Sequence, residues 1–377
     1  MTSPAEERDL EAVAWSWIEH LRRRGTTTWR EWAATGHPAV EPRWAVLPTA
    51  PQLEVVRRLA GSVCERSGAF DRLADLVLTT PVGGRGRVDP RLPGPGDSAG
   101  DRDVLEPRDL LRVCVAALAR WCEANPTPPG RCGKRARRHR PWQASFVVDG
   151  CSPHAEAVRA ALLAAGHAEG GRDPVVLVVG GPLEAMLAAH WRQRVATGAG
   201  VRWQQLWTGL VARGRLPGPV DLARLADRWR EEHARVEIVL NADPADAVDA
   251  VGRILELDLD RCTPAAQDPV DTDLLRRLNQ VLASKDPGAR QRLLNGELVP
   301  LPSRSYREPL GVPAAHLGWA LDQAEALVAR LGDGPWVVHG DPRVVVPSTD
   351  AGLPRSVSAD RTLDLALQVL LALEGGD

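Results

Sequence analysis

At 377 residues the chain has room for two domains, and a hydrophobic fraction of 44% suffices for ordinary cores. A formal net charge of -2 argues against a globally basic nucleic-acid binder. Positive charge is nearly all arginine, since Lys134 and Lys285 are the only lysines. Beside so much Ala, Gly and Pro, that abundance is a compositional bias and weak evidence for phosphate binding.

Residues 9–24 repeat Leu10, Val13, Ala14, Trp17, Ile18 and Leu21 at helical spacing. Gly25 can end that helix, and Thr26, Thr27 or Thr28 can cap a short one carrying Trp29 and Trp32. Helices are expected over 52–60, 69–78 and 107–125. Residues 81–107 are rich in Gly, Pro, Arg and Asp and read as a loop. Its Gly83-Gly84-Arg85-Gly86 is a poor phosphate loop, because no strand precedes it and no GK[ST] follows. The first 125 residues thus form an all-α, Trp-rich domain. There are 13 Trp against two Phe and one Tyr, and large buried rings suit packing best. Residues 126–141 form a basic Pro/Arg linker, with six Arg or Lys between Arg131 and Arg140. A solvated connector is the plain reading, and a contact with an anion, nucleic acid or an acidic partner the sharper one.

From residue 144 the pattern changes. Phe146-Val147-Val148 runs into Asp149-Gly150, and a helical pattern follows over 155–165. A second apolar run, 175–179, stops at Gly180-Gly181, and Pro182 opens a helix that carries Trp191. Strand, tight turn, helix, repeated, opens a parallel α/β sheet, so 142–377 is expected to be an α/β domain. Helices are expected at 203–213 and 219–232 and a strand at 236–240. Asn241-Ala242-Asp243-Pro244 is a turn into a further helix, with Asp243 as turn or cap residue. Residues 258–272 read as polar loop, 274–283, 289–294 and 312–331 as helix, 336–338 as a short strand and 344–346 as an edge element. Residues 358–374 form an amphipathic helix that needs a groove in its own chain or a partner.

The chemistry-bearing residues gather at the first turn. Cys151, Ser152 and His154 stand at the start of a helix, where a Ser–His or Cys–His nucleophile pair is conceivable and where a Cys thiol has its pKa lowered. His154 is the catalytic candidate, against capping by Ser152 and simple turn geometry. His190 reads as a packed helix residue, and His339 as a turn residue with a metal or base role as the alternative. Arg159, Arg192, Arg194, Arg202 and Arg213 do not assemble into a phosphate clamp by spacing alone. The six Cys lack metal-ligand spacing, so reduced structural thiols and no metal are expected. The N-terminus has no apolar signal core and no stretch reaches spanning length, so a cytoplasmic location, no membrane and no nucleic acid are expected.

Three segments resemble the bacterial sulfotransferase-like branch of the P-loop fold: FVVDGCSPHAEAVRAAL, VVLVVGGPLEAMLAAHW and RVEIVLNADPADAVDAVGRILEL. The resemblance extends to LNQVLASKD and WVVHGDPRVVVP and covers roughly the last 60% of the chain. It implies a three-layer parallel-sheet domain and places Gly150, Cys151, Ser152 and His154 where the family binds 3′-phosphoadenosine 5′-phosphosulfate. The departures are as telling. Ser152 or a near neighbour stands for the family's Lys, Ala155 and Glu156 for its hydroxyls, Gly180 for the 3′-phosphate Arg, and Ala188 for its Ser. Glu156 would also set a carboxylate near a dianion. The expectation is a non-catalytic binding or scaffolding module that uses no cofactor and meets a protein partner through 358–374. The alternative is an active sulfotransferase, or another group transferase, with a divergent loop.

Overall fold

The structure, a computed structural model, describes residues 4–35, 48–62, 67–81, 105–125, 145–233, 235–260, 269–282, 310–349 and 353–373. The basic linker, Gly83–Gly86 and the helix expected at 289–294 lie outside the described residues. In chain order the helices are α1 (Pro4–Arg22), α2 (Trp29–Ala34), α3 (Ala50–Ser62), α4 (Ser67–Thr79) and α5 (Pro107–Ala124). Then come β1 (Phe146–Asp149), α6 (Pro153–Ala164), β2 (Val175–Gly180), α7 (Leu183–Ala196), α8 (Trp203–Arg213) and α9 (Leu222–Arg230). They are followed by β3 (Val236–Leu240), α10 (Pro244–Leu255), α11 (Pro269–Leu282), α12 (Leu317–Asp333), β4 (Val337–Gly340) and α13 (Ala359–Leu373). The chain is an α/β protein. The apolar run at 344–346, expected as an edge element, is instead part of a 3₁₀ turn, Pro342–Val345, because Asp341 caps it by accepting from Arg343 N at 2.8 Å.

Two compact units emerge. One comprises 1–128, 277–302 and 358–377, and the other 129–276 and 303–357. This corrects the expected 142–377 domain, since the last helix groups with the N-terminal helices. The reason is packing. α5 is buried on most sides through Leu110, Leu111, Val113, Cys114, Val115, Ala117 and Leu118. It takes the apolar face of α13 (Leu363, Leu365, Ala366, Val369 and Leu370) as well as α3 and α4. The amphipathic helix therefore finds its groove in its own chain. Burial also pushes the Cys114 thiol up to about 12, so it behaves as a small hydrophobe.

Polar side chains fasten the helical unit. Thr28 and Glu31 form a capping box on α2. Trp17 Nε1 donates to Thr27 O at 2.9 Å and Trp32 Nε1 to Ser16 Oγ at 3.0 Å, while His20 stacks on Trp32 at 4.2 Å. Gln52 is buried at the start of α3. Its Nε2 donates to the carbonyls of Val77, Leu78 and Thr80 at the end of α4, and its Oε1 accepts from Thr49 N and Oγ1. One side chain thereby gathers three carbonyls at the end of α4, where intrahelical donors run out.

The other unit is built on the sheet, which has strand order β1-β2-β3-β4, all parallel. Its central strands β2 and β3 are buried on both faces and so read as continuous apolar runs. Phe146, Val148, Leu177, Val179 and Val239 face α6 and α10. Val176, Val178, Ile238 and Leu240 face α7, α8, α9 and α12, where Trp191, Trp203, Trp207 and Trp319 form a chain of one tilted and two T-shaped ring pairs. The order advances in one direction, yet the β1–β2 crossover helix α6 and the β2–β3 helices lie on opposite faces. These two crossovers must therefore differ in hand, and one departs from the usual right-handed rule. For the same reason the described strands lack the order reversal that opens a crevice in doubly wound sheets.

Candidate functional site: the carboxyl edge of the sheet

In parallel α/β sheets ligands bind outside the carboxyl ends of the strands. Here those ends are Asp149 to His154, Gly180 to Pro182, Asn241 to Asp243, and Gly340. Gly150 has φ +123°, and a Cβ there would run into the carbonyl of Val179 on the neighbouring strand, so the tight exit from β1 requires glycine.

The turn after β1 spends four of its backbone donors internally. Gly150 N donates to Asp149 Oδ1 at 2.7 Å and Cys151 N to Pro219 O at 3.2 Å. Ala155 N donates to Ser152 Oγ at 3.0 Å and Glu156 N to Ser152 O at 3.2 Å. Pro153 brings no N–H. Ser152 Oγ in turn donates to Val179 O at 3.0 Å. A phosphate cradle needs such N–H groups aimed outward and unpaired; here four are committed and a fifth is absent. Asp149 Oδ2 accepts from Arg228 Nη2 at 2.8 Å and Trp229 Nε1 at 2.6 Å, pinning the end of β1 to α9. Glu156 is exposed and pairs with Arg192 at 3.2 Å.

His154 is 2% exposed. Its ring stands where a Cβ on Gly181 would be, and Nε2 lies 3.3 Å from Ala242 O. Burial lowers its pKa, against the opposing pull of the Ala242 carbonyl and Asp243, so the ring is held towards neutrality. Nδ1 is buried without a hydrogen-bond partner. No hydrogen bond joins His154 to Ser152 Oγ or Cys151 Sγ among the described residues; the hydroxyl is committed to Val179 and the thiol faces Gln193 Oε1 at 3.5 Å. The nucleophile–base pairing weighed from sequence is therefore not assembled. The Cys151 thiol is not activated either: burial pushes it up to about 11, with Arg192 opposing, which reverses the expectation of a lowered value.

The second turn is equally full. A Cβ on Gly180 would meet Leu222 and Leu240, so the position that the resemblance assigns to an arginine has no room for one. Ala188 packs against the surrounding core. Asp243 caps α10, accepting from Ala245 N at 2.7 Å, as expected.

Two features escaped the sequence reading. Glu184, in the first turn of α7, is 6% exposed. Burial raises its pKa, and its Oε1 accepts from Ser348 N at 3.1 Å. An acid in a helix's first turn reads as an ordinary dipole partner, so only the fold reveals its burial. Glu237, on β3, accepts from Arg235 Nε at 2.5 Å and is bound to His339 Nε2 at 2.6 Å. Strand register brings that diagonal pair together: Glu237 faces Val337, and Val239 faces His339. No group of three His, Cys, Asp or Glu placed to hold a metal occurs among the described residues, and no helix is long and apolar enough to cross a membrane. Comparison with models of known families, with curated proteins and with solved structures finds no match to the chain.

Proposed function

We propose that the α/β unit is a sulfotransferase-like binding module in which the phosphosulfate-binding turn has become structure. The observation that carries this reading is the commitment of the Gly150, Cys151, Ala155 and Glu156 N–H groups to partners within the chain. The filled volumes at Gly180 and Gly181 support it: recovering a 3′-phosphate ligand there requires displacing Leu222 or His154. On this reading His154, Ser152 and Gly150 hold the sheet edge together, and Cys151 is an inert packing thiol. Isothermal titration with adenosine 3′,5′-bisphosphate should give no saturable heat. Binding in the micromolar range would overturn the reading.

A further inference from the structure

The Glu237 carboxylate is held at both oxygens. Arg235 Nε donates to Oε1 at 2.5 Å, and His339 Nε2 meets Oε2 at 2.6 Å. The glutamate side chain is 7% exposed, whereas those of Arg235 and His339 are 59% and 34% exposed. The backbone fixes all three positions. Val176 N donates to Arg235 O at 3.0 Å just before β3, and the pairing of β4 with β3 sets His339 beside Val239. Among the described residues, His339 is the one histidine in an ion pair with a carboxylate.

In the neutral ring, the bond to Glu237 fixes the proton on Nε2 and leaves the lone pair on Nδ1. Nδ1 of His339 has no hydrogen-bond partner among the described residues and is open to solvent, whereas Nδ1 of His154 and of His190 is buried. A ring that forms a bond through Nδ1 gains positive charge, and a carboxylate on the opposite nitrogen stabilises that charge. The Arg235 guanidinium supplies the complementary part. Its Nε is committed to Glu237, and its two Nη groups have no partner among the described residues. These donors stand one carboxylate away from the imidazole and suit the oxygens of a tetrahedral anion. Access is open as well. α6 and α10 pack on β1, β2 and β3, and Val337, on the same face of β4 as His339, is 55% exposed.

From this arrangement we infer that His339 is a phosphoryl-acceptor site, modified on Nδ1 by a small phosphoramidate. The Nδ1 lone pair attacks phosphorus, the P–N bond of the donor breaks, and ammonia leaves with the electron pair of that bond. A new N–P bond stands on the ring, and nothing is oxidised or reduced. The proton on Nε2 stays between the ring and Glu237, while the Nη groups of Arg235 hold the phosphoryl oxygens. Exchange of one N–P bond for another keeps the bond type, so the transfer needs no further energy source. The site uses no residue of the turn after β1, so its failure would leave the reading of that turn untouched.

The test treats the folded full chain with potassium phosphoramidate and keeps the product in alkali, where phosphohistidine survives. Peptide mass mapping locates the label, and phosphorus NMR separates the Nδ1 from the Nε2 product. His339 should be labelled first and on Nδ1, and His339→Gln should abolish that label. Arg235→Gln, at an exposed position, should slow labelling about tenfold, the loss expected for one charge-assisted contact. Arg235→Lys, which keeps the charge and loses the fork, should fall between the wild type and Arg235→Gln. Glu237 acts as a positioning residue, so Glu237→Gln should slow the reaction and also admit the Nε2 product, a change of isomer that a packing role alone does not produce. Circular dichroism checks that each variant is folded. Even labelling of His167, His233, His316 and His339, a wild-type product on Nε2, or an unchanged rate in Arg235→Gln would sink the inference.

Discussion

His154 and Gly181 are a lock and its recess. The ring fills the space that any side chain at 181 would need, so Gly181→Ala should lower stability by about 1–3 kcal/mol, the usual cost of overpacking. Combining it with His154→Ala should recover part of that loss, because the second substitution empties the contested volume. Urea unfolding of the four proteins, followed by tryptophan fluorescence, measures the coupling. A neutral Gly181→Ala, or strict additivity, would mean that the ring does not occupy the recess. At this scale the sequence was informative about identity and silent about direction. His154 beside Ser152 suggested a reacting pair, because adjacency along the chain resembles proximity. The helix start turns Ser152 back to cap Ala155 N and sends His154 towards Ala242, eighty-eight residues on.

Elements were more legible than side-chain directions. The strands at 175–180 and 236–240 stand out because a parallel sheet covered on both faces needs uninterrupted apolar runs. α11 starts earlier than its apolar pattern suggests, at Pro269 rather than at 274. Its first turns look like polar loop, but Thr272 and Asp273 are buried, and Asp273 accepts from Arg276 Nε at 2.7 Å. The joint between α3 and α4 was illegible, because a lone glutamine has no periodicity. Gln52→Ala should remove the side-chain donor shared by the carbonyls of Val77, Leu78 and Thr80 and cost about 1–3 kcal/mol. Thermal unfolding read by far-ultraviolet circular dichroism tests this, with Gln52→Glu as a control that keeps the shape and loses the donor. A melting temperature unchanged in both variants would remove Gln52 from the account of the helical unit.

At the scale of the whole molecule, composition and pattern were enough to separate a helical part from an α/β part. They could not show that the helical part is discontinuous. Amphipathicity says that a helix needs a groove and does not say where the groove lies. The structure supplies α5 as the answer for α13. Deleting residues 358–377 should therefore expose Leu110, Leu111 and Leu118 and unfold the helical unit, while the α/β unit keeps its protection. Limited proteolysis with mapping of the cleavage sites distinguishes the two units. A truncated protein that resists cleavage across α3 to α5 would show that α13 is dispensable for that fold.

The pairing of α5 with α13 also makes the α/β unit the link that closes the helical unit. While the stretches 129–276 and 303–357 are folded, the chain between α5 and α13 has little slack, which keeps α13 at a high effective concentration for its groove. Once they unfold, the same stretches become long slack tethers, and each doubling of their length costs about 0.6 kcal/mol in closure entropy. Stabilising the α/β unit should therefore raise the melting temperature of the helical unit as well.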